Sequence, residues 1–116
     1  MTRPTESNLE IFKGMTFEHR FAYVDENDAP INITGYTARM QLREEWDSPD
    51  PAIISLTDTG GIAISGTLGV CDVTITATQT AALTVDKAVY DLEIVNGPKV
   101  IKLARGKIKI YPEATR

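Results

Sequence analysis

The sequence has few of the residues that small proteins use for covalent cross-links or catalysis. It contains one cysteine, Cys71, one histidine, His19, and one tryptophan, Trp46, in 116 residues. A single cysteine excludes an internal disulfide and is too few for a structural zinc site. No apolar run is long enough to cross a membrane, and the N-terminus lacks the apolar stretch of a signal peptide. We therefore expect the protein to be synthesised in a cytoplasm and to make no contact with a membrane.

Length and composition predict one ordinary globular domain. The chain is long enough for a single hydrophobic core and too short for two. We expect a flexible N-terminal arm over residues 1–8, a single domain over residues 9–113 and a short tail over residues 114–116. Hydrophobic burial must supply the stability of that domain, because no disulfide or zinc site is expected.

Apolar and polar residues alternate in several short segments, which is typical of half-buried strands. The segment from Met15 to Val24 alternates in this way, and so do the segments from Tyr36 and from Lys87. The alternation predicts one core formed by Phe17, Phe21, Tyr36, Met40, Leu42, Val73, Ile75, Tyr90, Leu92, Ile94, Ile108 and Ile110. In the last segment the apolar positions change parity across residues 104–106, which predicts a β-bulge there.

Glycine and proline turns separate these segments at intervals of about eight to twelve residues. The segment TATQTAAL carries the one helical signal, with Thr76 or Thr78 as its N-cap. The pattern therefore predicts an all-β, immunoglobulin-like antiparallel sandwich of seven to eight short strands, with one short helix that crosses between the sheets. The paired cysteines of antibody domains are absent.

No constellation of residues predicts catalysis, a cofactor or a metal. His19 falls on the apolar side of its strand and Cys71 lies between Val70 and Asp72, so both are expected to be structural. The acidic segment Asp25–Asp28 lacks the spacing of a calcium loop, and whether it binds a cation stays open.

Charge is unevenly distributed along the chain. Residues 1–98 carry a net charge of −9 and residues 99–116 a net charge of +5, within a total of −4. One basic strand on an acidic body does not predict nucleic-acid binding. The candidate interface residues are instead a tryptophan in a proline-rich loop and the polar face and end of the last strand: Trp46, Lys99, Lys102, Lys107, Lys109 and Tyr111. The lysines are also explained by solubility at an exposed strand.

Most of the chain resembles a small structural protein of tailed bacteriophages and prophages. The segments that carry the resemblance are FKGMTFEHRF, INITGYTARMQLRE, TATQTAAL before YDLEI, and the ending ARGKIKIYPEATR. The resemblance implies an immunoglobulin-like sandwich in the virion, with other phage structural proteins as partners and several copies or a homo-oligomer in the particle.

The resemblance does not specify the place in the particle or any functional residue. It is compatible with a tail, baseplate or fibre-attachment protein without enzymatic activity, and with a capsid decoration protein as the alternative. A carbohydrate-binding module is a weaker alternative, because such a module needs two or three exposed aromatic residues in line and the sequence has one tryptophan.

Overall fold

Strands form most of the chain in the computed structural model, which describes residues 5–49 and 51–114. The elements are β1 Thr5–Glu6, β2 Leu9–Phe12, β3 Phe17–Ala22, β4 Thr37–Arg43, β5 Ile54–Thr57, β6 Ile62–Ser65, β7 Val70–Ile75, α1 Ala77–Ala81, β8 Lys87–Asn96 and β9 Lys99–Tyr111. A 3-10 turn at Gly66–Leu68 joins β6 to β7. Neither helical element of the described residues has the length or apolar content to cross a bilayer.

The strands form two sheets. The large sheet has the order β5-β4-β8-β9, with β1 and β2 both added beside β9, and the small sheet has the order β3-β7-β6. This is the order in which immunoglobulin-like domains divide their strands between two sheets. The predicted all-β sandwich is therefore confirmed.

The strands β1 and β2 depart from the predicted antiparallel pairing. Both run parallel to β9, whereas the other pairs in the two sheets are antiparallel. With β1 counted, the described residues contain nine strands rather than seven or eight. The extra strands arise because the N-terminal segment pairs with the C-terminal strand, which local alternation does not reveal.

The core lies between the sheets and follows the predicted alternation. Ten of the twelve predicted members are buried, and Phe17 and Tyr36 are partly buried against the same cluster. The rings of Phe21 on β3 and Tyr90 on β8 lie 6.0 Å apart between centroids. Antibody domains join the equivalent strands by a disulfide, so an aromatic contact takes that place here.

The β-bulge lies one residue earlier than predicted. Leu92 is opposite Ala104, but Glu93 is opposite Lys102, so Leu103 is the extra residue of β9. Leu103 and Ala104 are consecutive and both buried. The bulge changes the parity of the strand so that apolar residues on both sides of it face the core.

Helix α1 crosses from β7 in the small sheet to β8 in the large sheet, as predicted. Thr76 is its N-cap: the hydroxyl of Thr76 accepts from Gln79 N at 3.1 Å, and Gln79 Oε1 accepts from Thr76 N at 3.0 Å. This reciprocal pair is a capping box, which satisfies two backbone donors. Inside the helix, the buried Thr80 hydroxyl accepts from Gly14 N at 3.1 Å and holds the turn before β3.

Within the flexible arm expected over residues 1–8, residues 5–8 are held on the large sheet. Ser7 N donates to Arg105 O at 2.9 Å, and the Tyr90 hydroxyl donates to Ser7 O at 2.6 Å. Asn8 Oδ1 accepts from Lys107 N at 3.1 Å. Most of these hydrogen bonds use backbone atoms of the segment, so its polar side chains gave no sign that it pairs with β9. Residues 1–4, 115 and 116 lie outside the described residues.

Gly106 permits this close approach of the N-terminal segment to β9. A Cβ atom at position 106 would lie 2.2 Å from the carbonyl oxygen of Ser7, a separation that real Cβ contacts do not reach.

Burial raises the pKa of Tyr90 to about 12. The Tyr90 hydroxyl therefore stays protonated and remains the donor to Ser7 at neutral pH.

Candidate functional site

The large sheet has one face toward the core and one face toward solvent. Alternation places the charged residues of its three central strands β4, β8 and β9 on the solvent side, which we call the outer face. The register aligns them in rows across the sheet. The outer face comprises Arg39, Gln41, Arg43, Lys87, Val89, Asp91, Glu93, Lys102, Arg105, Lys107, Lys109 and Tyr111, with Trp46 of the β4–β5 loop beside them.

Glu93 is the centre of an ion-pair network at one end of this face. It is 8% exposed and contacts Arg39 Nε through Oε1 and Lys102 Nζ through Oε2. Lys102 also lies 3.4 Å from Asp91 Oδ2. Burial alone would raise the pKa of Glu93, but hydrogen bonds from Lys102 and Arg39 outweigh it and the pKa is lowered.

Lys102 is therefore engaged within the molecule rather than offered to a partner. The hydrogen bond to Glu93 raises the pKa of Lys102, so the ammonium form is held. In the sequence, Lys102 is one of four lysines that look equivalent and exposed. Its role differs because the bulge in β9 sets it opposite Glu93.

Trp46 lies beside the centre of the outer face. The loop that carries it is closed by Glu45 N donating to Ser48 Oγ at 2.9 Å, and by Arg43 Nη1 donating to Ser48 O at 3.2 Å. The guanidinium carbon of Arg105 lies 4.1 Å from the centroid of the Trp46 ring, a cation–π contact. Trp46 is 47% exposed, so one part of the ring is held on the sheet and the other faces solvent.

A shallow cleft of about 400 Å³ lies beside Trp46. Its lining includes Arg43, Asp91 and Val89 as well as Trp46. Val89 points outward by its position in β8 and is nevertheless only 9% exposed, and it lines the same space as Trp46. The cleft therefore combines an aromatic ring, an apolar floor and charges of both signs.

Three lysines form a basic cluster next to the tryptophan loop. Lys87 on β8 is directly opposite Lys109 on β9, and Lys107 is one row nearer to Trp46. None of the three has an ion pair among the described residues. Like charges directly opposite in a sheet are destabilising, so this cluster costs the isolated protein some stability.

An aromatic pair ends the outer face at the edge of the sheet. Tyr111 stacks on Phe12 with ring centroids 4.7 Å apart, and Lys109 Nζ lies 5.0 Å from the centroid of Tyr111. The Tyr111 hydroxyl donates to Glu10 Oε2 at 2.7 Å, and this hydrogen bond raises the pKa of Tyr111. Phe12 is 46% exposed.

The structure thus brings five of the six sequence candidates to one face, namely Trp46, Lys102, Lys107, Lys109 and Tyr111. Lys99 does not join them, because it begins β9 at the turn after Asn96, away from the tryptophan loop. That this face binds a partner stays a prediction.

Sequence reasoning missed Phe12, Lys87 and Arg105. Alternation in the segment Leu9–Phe12 already placed Phe12 opposite in parity to the buried Leu9 and Ile11, and this signal was available. The contact between Arg105 and Trp46 had no sequence signal, because the two residues are far apart in the chain.

Cys71 and His19 both pack within the small sheet. Cys71 is fully buried, and burial raises the pKa of its thiol to about 11, so the thiol is protonated at neutral pH. His19 is half-buried, and its ring lies 4.6 Å from that of Phe21 between centroids. In the register of β3 and β7, Cys71 is opposite Phe21 and His19 is opposite Val73.

The acidic segment after β3 is a turn held by its own first carboxylate. Asp25 Oδ1 accepts from Asn27 N at 2.8 Å and from Ala29 N at 3.0 Å, while Asp28 adopts a φ of 62°. Within the part of the chain that the structure describes, no three His, Cys, Asp or Glu side chains converge on a metal-sized space.

No protein-family model matches this chain, and no curated protein sequence matches it. The resemblance to phage structural proteins is therefore carried by the quoted segments alone.

Proposed function

We propose that this chain is a non-enzymatic structural protein of a tailed-phage virion, in which it is a tail, baseplate or fibre-attachment component. It docks onto other virion subunits through the outer face around Trp46. The observation that carries the docking role is the half-exposed Trp46 ring, stacked on Arg105 and bordered by the lysines of the basic cluster. The resemblance of the quoted segments supports the virion setting.

The arrangement has the features of a binding hot spot. Tryptophan and arginine are enriched among the residues that dominate binding energy, and they act best where water is excluded around them. The contact with Arg105 and the closed loop hold the Trp46 ring in place before binding. A pre-ordered side chain loses less conformational entropy on binding than a mobile one.

The basic cluster indicates the chemistry of the partner. Lys87, Lys107 and Lys109 present three positive charges without an ion pair among the described residues, although Glu10 of β2 lies beside Lys109 in the register. A partner with carboxylates facing this cluster would relieve the repulsion and would be steered to the face during encounter. We therefore expect a protein partner with an acidic patch beside a small apolar pocket that accepts the tryptophan.

The test is incorporation of variant protein into virions. Trp46→Ala removes the aromatic anchor and should weaken docking by about 2 kcal/mol, which is about thirtyfold in the binding constant. The copy number per particle would be measured by quantitative mass spectrometry of purified virions, after thermal melting has shown that the variant is folded.

The matched control is Leu68→Ala. Leu68 is 57% exposed, but it lies in the turn between β6 and β7 of the small sheet, away from the outer face. Normal incorporation of Leu68→Ala with reduced incorporation of Trp46→Ala supports the proposal. Normal incorporation of Trp46→Ala contradicts it, and labelling of the protein on the head rather than the tail would support the capsid decoration alternative.

A further inference from the structure

The outer edge of β3 is the longest regular open edge in the described residues. In immunoglobulin-like sandwiches the first strand can lie beside the strand equivalent to β3, but here β1 and β2 pair with β9 instead. β3 spans six residues, whereas the edge strands β2, β5 and β6 span four each. It pairs with β7 without a register shift.

This edge has little protection against pairing with another strand. Natural edge strands are commonly protected by proline, by a bulge or by charged side chains, lysine above all. The sequence FEHRFA of β3 has no proline, lysine or bulge. Its two charged residues, Glu18 and Arg20, are of opposite sign, so they do not repel a second copy in every register.

The hydrogen-bonding pattern shows which backbone groups face the open edge. Tyr23 N donates to Gly69 O at 2.7 Å on the β7 side, and Thr74 N donates to Gly61 O at 2.8 Å on the β6 side. In an antiparallel ladder the direction of the amide alternates from residue to residue. The amides of Glu18, Arg20 and Ala22 therefore point away from β7 toward the open edge.

We propose that two copies of this chain pair antiparallel through β3 about a twofold axis at His19. In this register Glu18 of each copy is directly opposite Arg20 of the other, in a hydrogen-bonded pair of the new ladder. The small sheets of the two copies then form one continuous six-stranded sheet. This contact goes beyond the docking proposed for the outer face and uses a different sheet.

Charge selects this register among those that the hydrogen bonds allow. A shift of one residue in the centre of symmetry, to 18 or to 20, would set Glu18 opposite Glu18 or Arg20 opposite Arg20, and like charges directly opposite are destabilising. Glu18 has no ion pair among the described residues, and its neighbour on β7 is Thr74. Glu18 is therefore available to a second copy.

Arg20 can bind the new carboxylate without giving up its present one. Its Nε and Nη2 donate to Asp72 at 2.7 and 3.0 Å. A guanidinium group has five N–H donors, so others remain for Glu18 of the second copy. Asp72 also holds the Arg20 side chain over the sheet, which lowers the entropy lost when the intermolecular pair forms.

The core side of the edge is complementary as well. The same register sets the half-buried Phe17 of each copy opposite Phe21 of the other. Cross-strand aromatic pairs stabilise antiparallel sheets. A pair of six-residue strands is a small contact beside the roughly 800 Å² per partner of a standard stable interface. We therefore expect a reversible dimer that forms at high local concentration, as in an assembly.

The test uses sedimentation velocity over a concentration series with charge variants. Glu18→Lys sets two lysines opposite two arginines and should weaken the dimer about tenfold or more. The matched control is Glu26→Lys, which makes the same charge change in the exposed turn after β3 and should leave the dimer unchanged.

A second variant tests the register itself. The double variant Arg20→Glu with Asp72→Arg reverses the ion pair within the chain. It sets Glu18 of each copy opposite the introduced carboxylate of the other, so it should be monomeric alone. When the double variant is mixed with the Glu18→Lys variant, positions 18 and 20 of each chain face a residue of opposite charge in the other chain. A heterodimer should then form at the concentration at which the wild-type protein dimerises.

Amide exchange supplies an independent readout. On dimer formation the amides of Glu18, Arg20 and Ala22 should gain protection, because these amides point to the open edge. A wild-type protein that stays monomeric at about 1 mM, well above the Kd range of most specific contacts, overturns the proposal. A dimer that is insensitive to Glu18→Lys, or one that Trp46→Ala disrupts, overturns it too.

Discussion

Replacing Gly106 by alanine tests how the N-terminal strands are held on β9. The new Cβ would lie 2.2 Å from the carbonyl oxygen and 2.8 Å from the carbonyl carbon of Ser7, and both are backbone atoms. The segment around Ser7 must move away, which costs about 1 to 3 kcal/mol as overpacking. The hydrogen bond from Tyr90 to Ser7 is lost at the same time, which adds about 1 kcal/mol.

The expected loss in the free energy of unfolding is therefore about 2 to 4 kcal/mol, measured by urea denaturation. Gly60→Ala is the matched control, because a Cβ there meets nothing within 4 Å, and it should change stability by no more than about 0.5 kcal/mol. Tyr90→Phe should cost less in the Gly106→Ala background than in the wild type, because both changes break the same contact. A cost of Gly106→Ala within about 0.5 kcal/mol of the wild type would refute this reasoning.

Three further predictions concern the core, the ion-pair network and the N-terminal segment. Leu92 is fully buried, so Leu92→Ala should cost about 2 to 5 kcal/mol in urea unfolding, and a cost below about 0.5 kcal/mol would contradict the described core. The folded state lowers the pKa of Glu93 below its ordinary value of 4.5, so the stabilisation is complete above that value and is lost as pH falls through the lowered pKa. Glu93→Gln should therefore flatten the acid limb of a plot of unfolding free energy against pH, and an unchanged limb would count against the network. Deletion of residues 1–8 should lower the melting temperature by several degrees, because residues 5–8 pair with β9. An unchanged melting temperature would instead support the flexible arm expected from the sequence.

Local patterns in the sequence were sufficient for the class of fold. Alternation placed Met40, Leu42 and Leu92 in the core, and the segment TATQTAAL, with Thr76 or Thr78 as its N-cap, predicted a short helix between the sheets. Both signals depend on residues within one turn or one strand, where backbone geometry alone decides which side chains share a face. The same local rule located the β-bulge to within one residue.

The candidate site depended on contacts that local patterns do not contain. The sequence by itself determined that Trp46 lies in a loop and that lysines alternate along the last strand. Only the tertiary structure decided that Trp46 rests on Arg105, that Lys102 is paired with Glu93, and that the N-terminal segment closes the edge of β9. Trp46 and Arg105, and the N-terminal segment and β9, are distant in the chain, so their contacts follow from the order of strands in the sheet. Glu93 and Lys102 are close in the chain, but the bulge in β9 decides that they are opposite each other.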